Sequence, residues 1–327
     1  MTYSQGGLIQ ATDYNGFAST TVSANINAVW GTATTAGGYE QGNIGTVSAT
    51  DTVSATQWAT LNNTISAAAN HQGTAITSRT NPVSGNTISI LANVNTDITS
   101  VNTSKNNAYA VGSQFTGWTG TTAKTTSTGS GASAWTLTFT HTVTFANTTA
   151  LYSFFNAGGY VQFQFGKTST GTNEDTAWNA FVGNGTANGV VATIIQTGAA
   201  AAKTIAGTSY TGTTKSGGSG TPTTYATSTG VYALTGSPVT IYKQFDSGAA
   251  YAANYVQINA SISGAVLTYT TTWFDDGTAV SAVITGGTAP TGATFGTAPT
   301  TLCTYYPPET TYLSNTWGTP SVAATVS

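Results

Sequence analysis

The chain is 327 residues long and only 5% of them are charged, against roughly a quarter in ordinary soluble domains. Seven Lys and Arg face ten Asp and Glu for a net charge of −3, and Arg79 is the only arginine. These figures exclude a basic nucleic-acid surface, which needs clustered Lys and Arg against phosphates. Threonine supplies about a fifth of the residues, and there are 38 glycines. A long helical protein is not expected from threonine, which is stiff at χ1 and poor in helices. Cys303 is alone, and His71 and His141 lie far apart, so no disulfide framework, cofactor or metal centre is expected. The first residues lack the charged and apolar regions of a secretory signal. No stretch approaches the ~18 apolar residues of a membrane span. The expectation is a chain made in a cytoplasm, with an uncharged, hydroxyl-rich surface suited to packing in an assembly.

Residues 1–112 read as a helical region. After Thr12-Asp13, the residues Tyr14, Phe17, Val22, Ile26, Val29 and Trp30 follow an imperfect 3–4 spacing that stops at Gly31. Asp13 favours a helix N-terminus. Ser54-Ala55-Thr56-Gln57 fits a capping box. Trp58, Leu61, Ile65 and Ala68 then share one face, and Gly73 is a stop signal. A third segment places Leu91, Val94, Ile98, Val101, Lys105 and Ala108 in heptad rhythm. Asn93, Asn95, Thr96, Asp97, Thr99 and Ser100 fill its polar positions. The run is shorter than the three or four heptads of a convincing coiled coil. It reads either as a helix packed on the two before it or as an intersubunit seam of a trimer, with Leu91, Val94, Ile98 and Val101 as interface candidates.

Residues 113–131 form a Thr/Gly/Ser linker whose bulky residues are Phe115 and Trp118. Residues 132–327 then change period from 3.6 to 2. Trp135, Leu137, Phe139, His141, Val143 and Phe145 alternate with five threonines, Thr136 to Thr144, which predicts a strand with an apolar face and a threonine face. Residues 161–165 repeat the alternation. Val239, Ile241 and Phe245 are expected to point inward, opposite Thr240, Tyr242 and Gln244, though Lys243 interrupts the inward set. Val256, Ile258, Ala260 and Ile262 form another inward set. Ser263-Gly264 turns the chain into Leu267, Tyr269, Thr271 and Trp273, a hairpin. Val280, Ala282 and Ile284 are candidates for one more strand. Short helices are expected at residues 149–156 and 175–182. The fold class is therefore α+β, an N-terminal helical region followed by a mainly antiparallel β-sandwich.

Chemistry-bearing residues are few. Asp275-Asp276 precedes Gly277 at a strand end and reads as turn chemistry; Glu174-Asp175 reads as a helix start. Cys303 has no histidine near it in sequence. His71 at a helix C-terminus suits a partly charged imidazole, and His141 on an apolar strand face reads as a core residue. A glycan-cutting enzyme needs two carboxylates ~5–10 Å apart, and past Glu174-Asp175 the acids are Asp246, Asp275, Asp276 and Glu309. The reading is therefore no enzyme. Tyr and Trp, 16 and 7 in number, suit interfaces and the faces of sugar rings.

Several short blocks resemble tail-associated structural proteins of tailed phages, notably of marine and cyanobacterial hosts. They are residues 6–15 (GGLIQATDYN), Trp30-Gly31, Gly38-Tyr39-Glu40-Gln41, residues 53–61 closing in His71-Gln72-Gly73, residues 143–147, Tyr152-Ser153-Phe154-Phe155-Asn156-Ala157-Gly158-Gly159, residues 254–258 and residues 273–277. Residues 183–236 do not align with that pattern. The resemblance implies a virion protein, in a tail fibre or other external appendage, or a head decoration or neck protein. Its implied partners are copies of itself, other virion proteins and a host-surface glycan; it implies no catalytic residues. The remaining alternative is a glycan-degrading, tailspike-like enzyme.

Overall fold

The expected helix from Asp13 to Gly31 is two helices, α1 (Ala11–Ala18) and α2 (Asn27–Trp30). The computed structural model describes residues 10–19, 25–85, 91–112, 119–121, 135–167, 173–182, 192–246, 252–276 and 299–327. Asp13 does cap α1, its carboxylate accepting the Gln10 N–H at 3.1 Å. In α3 (Ala55–Gln72) the capping box forms: Ser54 Oγ accepts the Gln57 N–H at 3.2 Å, and Gln57 Oε1 accepts the Ser54 N–H at 2.7 Å. The helix stops at Gly73, whose φ of 67° is a left-handed cap that favours glycine. Trp58, Leu61, Ile65 and Ala68 are fully buried, and Tyr14 and Phe17 meet the Trp58 ring edge-on at 5.8 and 6.1 Å. Two asparagines hold the loop between these helices. Asn15 donates to Val47 O at 2.7 Å and accepts its N–H at 2.8 Å; Asn27 does the same to Ile44 at 3.1 and 2.9 Å. One carboxamide supplies both a donor and an acceptor, and so stands in for a neighbouring strand.

Helix α4 (Leu91–Thr103) packs on α2 and α3. Val94, Ile98 and Val101 are fully buried within the single chain, so the heptad-like seam closes the helical region on itself and gives these three no surface for a second copy. The side chain of Leu91 lies outside the described residues. Lys105 and Ala108 fall beyond the helix end. Asp97, assigned to the polar face by spacing, is 5% exposed. It pairs with Arg79 and accepts from the Thr77 N–H at 3.3 Å. Spacing places a residue on a helix face; here Thr77 and Arg79 close over Asp97 alone, while Asn93, Asn95, Thr96 and Thr99 of the same polar set stay exposed.

The strands are β1 (Thr119–Thr121), β2 (Trp135–Thr144), β3 (Tyr160–Gly166), β4 (Thr193–Gln196), β5 (Lys203–Ile205), β6 (Thr208–Tyr210), β7 (Thr213–Ser216), β8 (Thr224–Tyr225), β9 (Val239–Phe245), β10 (Tyr255–Ser263), β11 (Val266–Asp275), β12 (Thr300–Tyr306) and β13 (Ser321–Val326). Among the described residues, one antiparallel sheet runs β1-β12-β3-β4-β7 and the other β13-β2-β11-β10-β9-β8, with β5-β6 a separate hairpin. Helices α5 (Thr148–Asn156) and α6 (Asn173–Val182) lie where expected. The fold is α+β with a sheet-rich C-terminal body. The candidate strand at Val280–Ile284 and most of the linker lie outside the described residues.

Period-2 sequence puts large side chains between the sheets. Trp135, Leu137, Phe139, His141 and Val143 of β2 are buried, while the alternate threonines are half-buried. Phe163 of β3 meets Tyr269 of β11 at 4.7 Å, and Phe165 meets Trp273 at 6.0 Å. Polar tips find partners across the gap: Tyr269 Oη donates to Gln196 Oε1 at 2.6 Å and Trp273 Nε1 to Thr301 Oγ1 at 2.9 Å. Trp178 of α6 closes one end against Trp135 and Trp273 at 5.4 and 5.3 Å. In β9 the expected inward set is reversed past Ile241. A register shift at Ile258/Asn259 turns Tyr242 and Gln244 inward, because one extra residue flips every later side chain; Val239, ahead of the shift at the strand's start, is exposed.

The two regions share one apolar core and a polar joint centred on Tyr39. The Tyr39 hydroxyl accepts from Gln72 Nε2 at 2.8 Å and donates to Lys105 O at 2.9 Å. Its carbonyl accepts from Ser153 at 3.1 Å and Thr316 at 2.8 Å. Asn156 of α5 donates to Thr34 O and Gly38 O at 2.8 and 3.0 Å. Gly38 takes a φ of 97°, and a Cβ there would sit 2.2 Å from Thr32 O, so a side chain does not fit.

Two stability measurements check this account. Phe139→Ala should cost about 3–5 kcal/mol as a core truncation, whereas Thr138→Ala on the outer face should stay within about 0.5 kcal/mol. Asp97→Asn leaves the Arg79 guanidinium buried without its counter-ion and should cost on the order of 3–5 kcal/mol. Urea unfolding reads both, and equal effects of Phe139→Ala and Thr138→Ala would contradict the assigned faces.

Candidate functional site

The outer face of the sheet containing β2 follows from the same alternation. Thr136 to Thr144 lie beside Thr268, Thr270 and Thr272 of β11. Gln257, Asn259 and Ser261 of β10 continue the surface on one side, and Ser321, Ala323 and Thr325 of β13 on the other. These side chains are half-buried or exposed, and Asn259 accepts from Thr240 at 2.8 Å and Gln257 at 2.9 Å. At one end, Phe245, Tyr255 and Phe274 form a cross-strand row with centroids 5.4 and 4.9 Å apart. Lys243 Nζ sits 3.7 Å from the Tyr255 centroid. The face is thus neutral over most of its width, and its ring faces are already taken by one another and by the lysine.

The singled-out polar residues mostly serve the fold. Asp275 does not sit in an open turn: it is 3% exposed and accepts from Asn254 at 2.6 Å and Trp178 at 3.2 Å. Asp276 donates its N–H to Asn254 Oδ1 at 3.1 Å. The side chains of Glu174 and Asp175 lie outside the described residues. Cys303 is buried, and burial pushes its thiol well above the ordinary range. His141 is fully buried between Phe139 and Phe163, and burial lowers its pKa to about 4. His71 is also buried; its Nε2–H donates to Ala157 O at 2.9 Å. Desolvation lowers its pKa to about 4, against smaller opposing effects of that carbonyl and Glu309. The expectation of a partly charged imidazole at the helix end is corrected, because burial outweighs the helix dipole here. Among the described residues no group of three or more His, Cys, Asp or Glu is placed to hold a metal ion, and no helix is long and apolar enough to cross a membrane.

Sequence reasoning missed a cleft where the end of the helical region meets the segment after β12. Gly112 N–H donates to Pro307 O at 2.7 Å and Val111 bridges Pro308, which sets the two segments side by side. A cavity of about 170 Å³ there is lined by Asn70, His71, Tyr109, Glu309, Thr311 and Tyr312. An adjoining cavity of about 470 Å³ shares Glu309 and adds Pro307, Thr310, Asn315 and Trp317. Glu309 accepts the Thr311 N–H at 2.6 Å, and hydrogen bonds from the Thr311 side chain and backbone hold its carboxyl below the usual range. No sequence signal pointed here, since the lining residues come from separate segments.

No family model, curated protein or solved structure matches the chain.

The two buried histidines set an acid limit. Folded, each stays neutral down to about pH 4, whereas an unfolded imidazole takes a proton near pH 6.5. In that interval the unfolded chain binds more protons, so stability should fall as pH falls from about 6.5 to 4. The full loss is on the order of 3 kcal/mol per histidine. Urea midpoints over this interval should show it, and His141→Phe should flatten about half of the slope; an unchanged slope in that variant would contradict a buried neutral His141.

Proposed function

We propose that the chain is a structural subunit of a bacteriophage virion, in a tail fibre or other external appendage, assembled as a homo-oligomer and made in the host cytoplasm. The observation that carries this reading is the broad uncharged outer face of Thr136–Thr144, Thr268–Thr272 and their neighbours on β10 and β13. Hydroxyls and amides can be brought against another protein surface without the desolvation cost of charges. With 5% charged residues, few like charges keep copies apart.

The resemblance to phage tail-associated proteins adds weight, because its blocks coincide with joints of the fold. Gly38-Tyr39-Glu40-Gln41 and residues 152–159 meet at the Tyr39 joint. Residues 254–258 and 273–276 meet at Asp275. Such positions specify an architecture and no chemistry, in keeping with a reading without enzymatic activity. Since the α4 seam is buried, the proposed assembly uses sheet faces.

Analytical ultracentrifugation of the purified chain tests it. The wild type should sediment as an oligomer of 33.1 kDa subunits. Thr138→Lys combined with Thr268→Lys should shift it to monomer with an unchanged circular dichroism spectrum. A wild type that stays monomeric at micromolar concentration would contradict the proposal.

A further inference from the structure

We propose that the cleft between Tyr109 and Tyr312 binds a neutral saccharide, with the two tyrosine rings as walls and Glu309 as the acceptor for its hydroxyl groups. This goes beyond the assembly reading and does not rest on it.

Tyr109 and Tyr312 are 71% and 42% exposed, the exposed aromatic side chains among the described residues, and both line this one cleft. Exposed apolar surface gathered in one place and rimmed by polar residues is a mark of a ligand-binding groove. One edge of the Tyr109 ring passes over Gly73, where a Cβ would come within 3.3 Å of Cδ2, and the Tyr109 backbone N–H donates to His71 O at 2.7 Å, which anchors the residue's main chain at the cleft. The Thr311 N–H at 2.6 Å orients the Glu309 carboxylate, and a group oriented before binding loses less conformational entropy on binding.

The polar groups define the ligand class. Glu309 only accepts hydrogen bonds, Asn70 and Asn315 offer amide donors and acceptors, and Thr310 and Thr311 offer hydroxyls. Alternating donors and acceptors beside apolar ring faces match a sugar, whose hydroxyls do both and whose C–H faces are apolar. A phosphate or other anion would meet Glu309 with no Lys or Arg among the lining residues. A quaternary ammonium ion is best held by ring faces on several sides, and would leave the amides and hydroxyls unused. The larger cavity falls in the range of about 300–1,000 Å³ usual for small-molecule sites, so a second sugar ring fits beyond Glu309. Glu309 is the one carboxylate among the lining residues, whereas glycoside hydrolysis uses a pair ~5–10 Å apart. The cleft therefore holds a saccharide without cutting it.

Saturation-transfer NMR on the full chain tests the proposal, with glucose, galactose, mannose and N-acetylglucosamine and their short oligosaccharides as probes, and tetramethylammonium and inorganic phosphate as competitors. At least one saccharide should receive saturation at millimolar concentration. Tyr109→Ala and Tyr312→Ala should each weaken its binding about tenfold or more, equivalent to about 1.4 kcal/mol, and Glu309→Gln should weaken it as well. These positions are exposed or half-buried, and unchanged thermal unfolding of each variant would show that the fold is kept. Absence of saccharide binding overturns the proposal, as does binding that survives Tyr109→Ala or displacement by tetramethylammonium. Any of these outcomes leaves the assembly reading intact, since that reading is decided by oligomeric state.

Discussion

Tyr39 has no exposed surface, and the rest of the structure depends on how its polar atoms are used. Its hydroxyl ties the end of α3 to the turn after α4. Its carbonyl receives hydroxyls from α5 and from the segment before β13. A buried tyrosine or carbonyl without partners costs on the order of 1–3 kcal/mol per group, so helices and sheets must meet in one arrangement to satisfy it. The His71 imidazole packs edge-on against the same ring at 5.3 Å and carries the link to Ala157. Helical region and β-sandwich consequently share a core. The Tyr109–Tyr312 cleft exists because residues 108–112 are carried from that joint onto the segment after β12.

Local patterns were legible in the sequence. The capping box of α3, its glycine stop, and the alternation of β2, β10 and β11 all follow from neighbours within a few residues, and the structure has them. Three features were not legible, for one reason: their partners are distant. Asp97 looked like a surface residue until Arg79 and Thr77 closed over it. Asp275 looked like turn chemistry until Trp178 and Asn254 enclosed it. The α4 stripe showed which face is apolar but not what covers it, and α2 and α3 cover it. The reversal in β9 is a fourth case: Lys243 interrupts the inward set in the sequence, but the register shift that accounts for it shows only in the pairing with β10. Of the candidate sites, the outer threonine face was legible and the Glu309 cleft was not.

A chain with so few charges must solve solubility and recognition by other means. Here stability comes from aromatic packing between two sheets and from carboxamides and hydroxyls that bridge backbone segments. The outer surface is left to threonine, serine and asparagine, which favour strands or turns and carry no field. Such a surface resists salt, because it has little for ions to screen, and it can be buried against another copy at small electrostatic cost. Those properties are the ones the proposed role, a subunit buried among copies in an assembly, would require.

The most direct test of that account is the location of the chain in phage particles. Antibody labelling of purified virions by electron microscopy should place several copies on the tail or another external appendage, in fixed positions from particle to particle. Particles that carry no label, with all of the protein in the soluble fraction of the lysate, would contradict it.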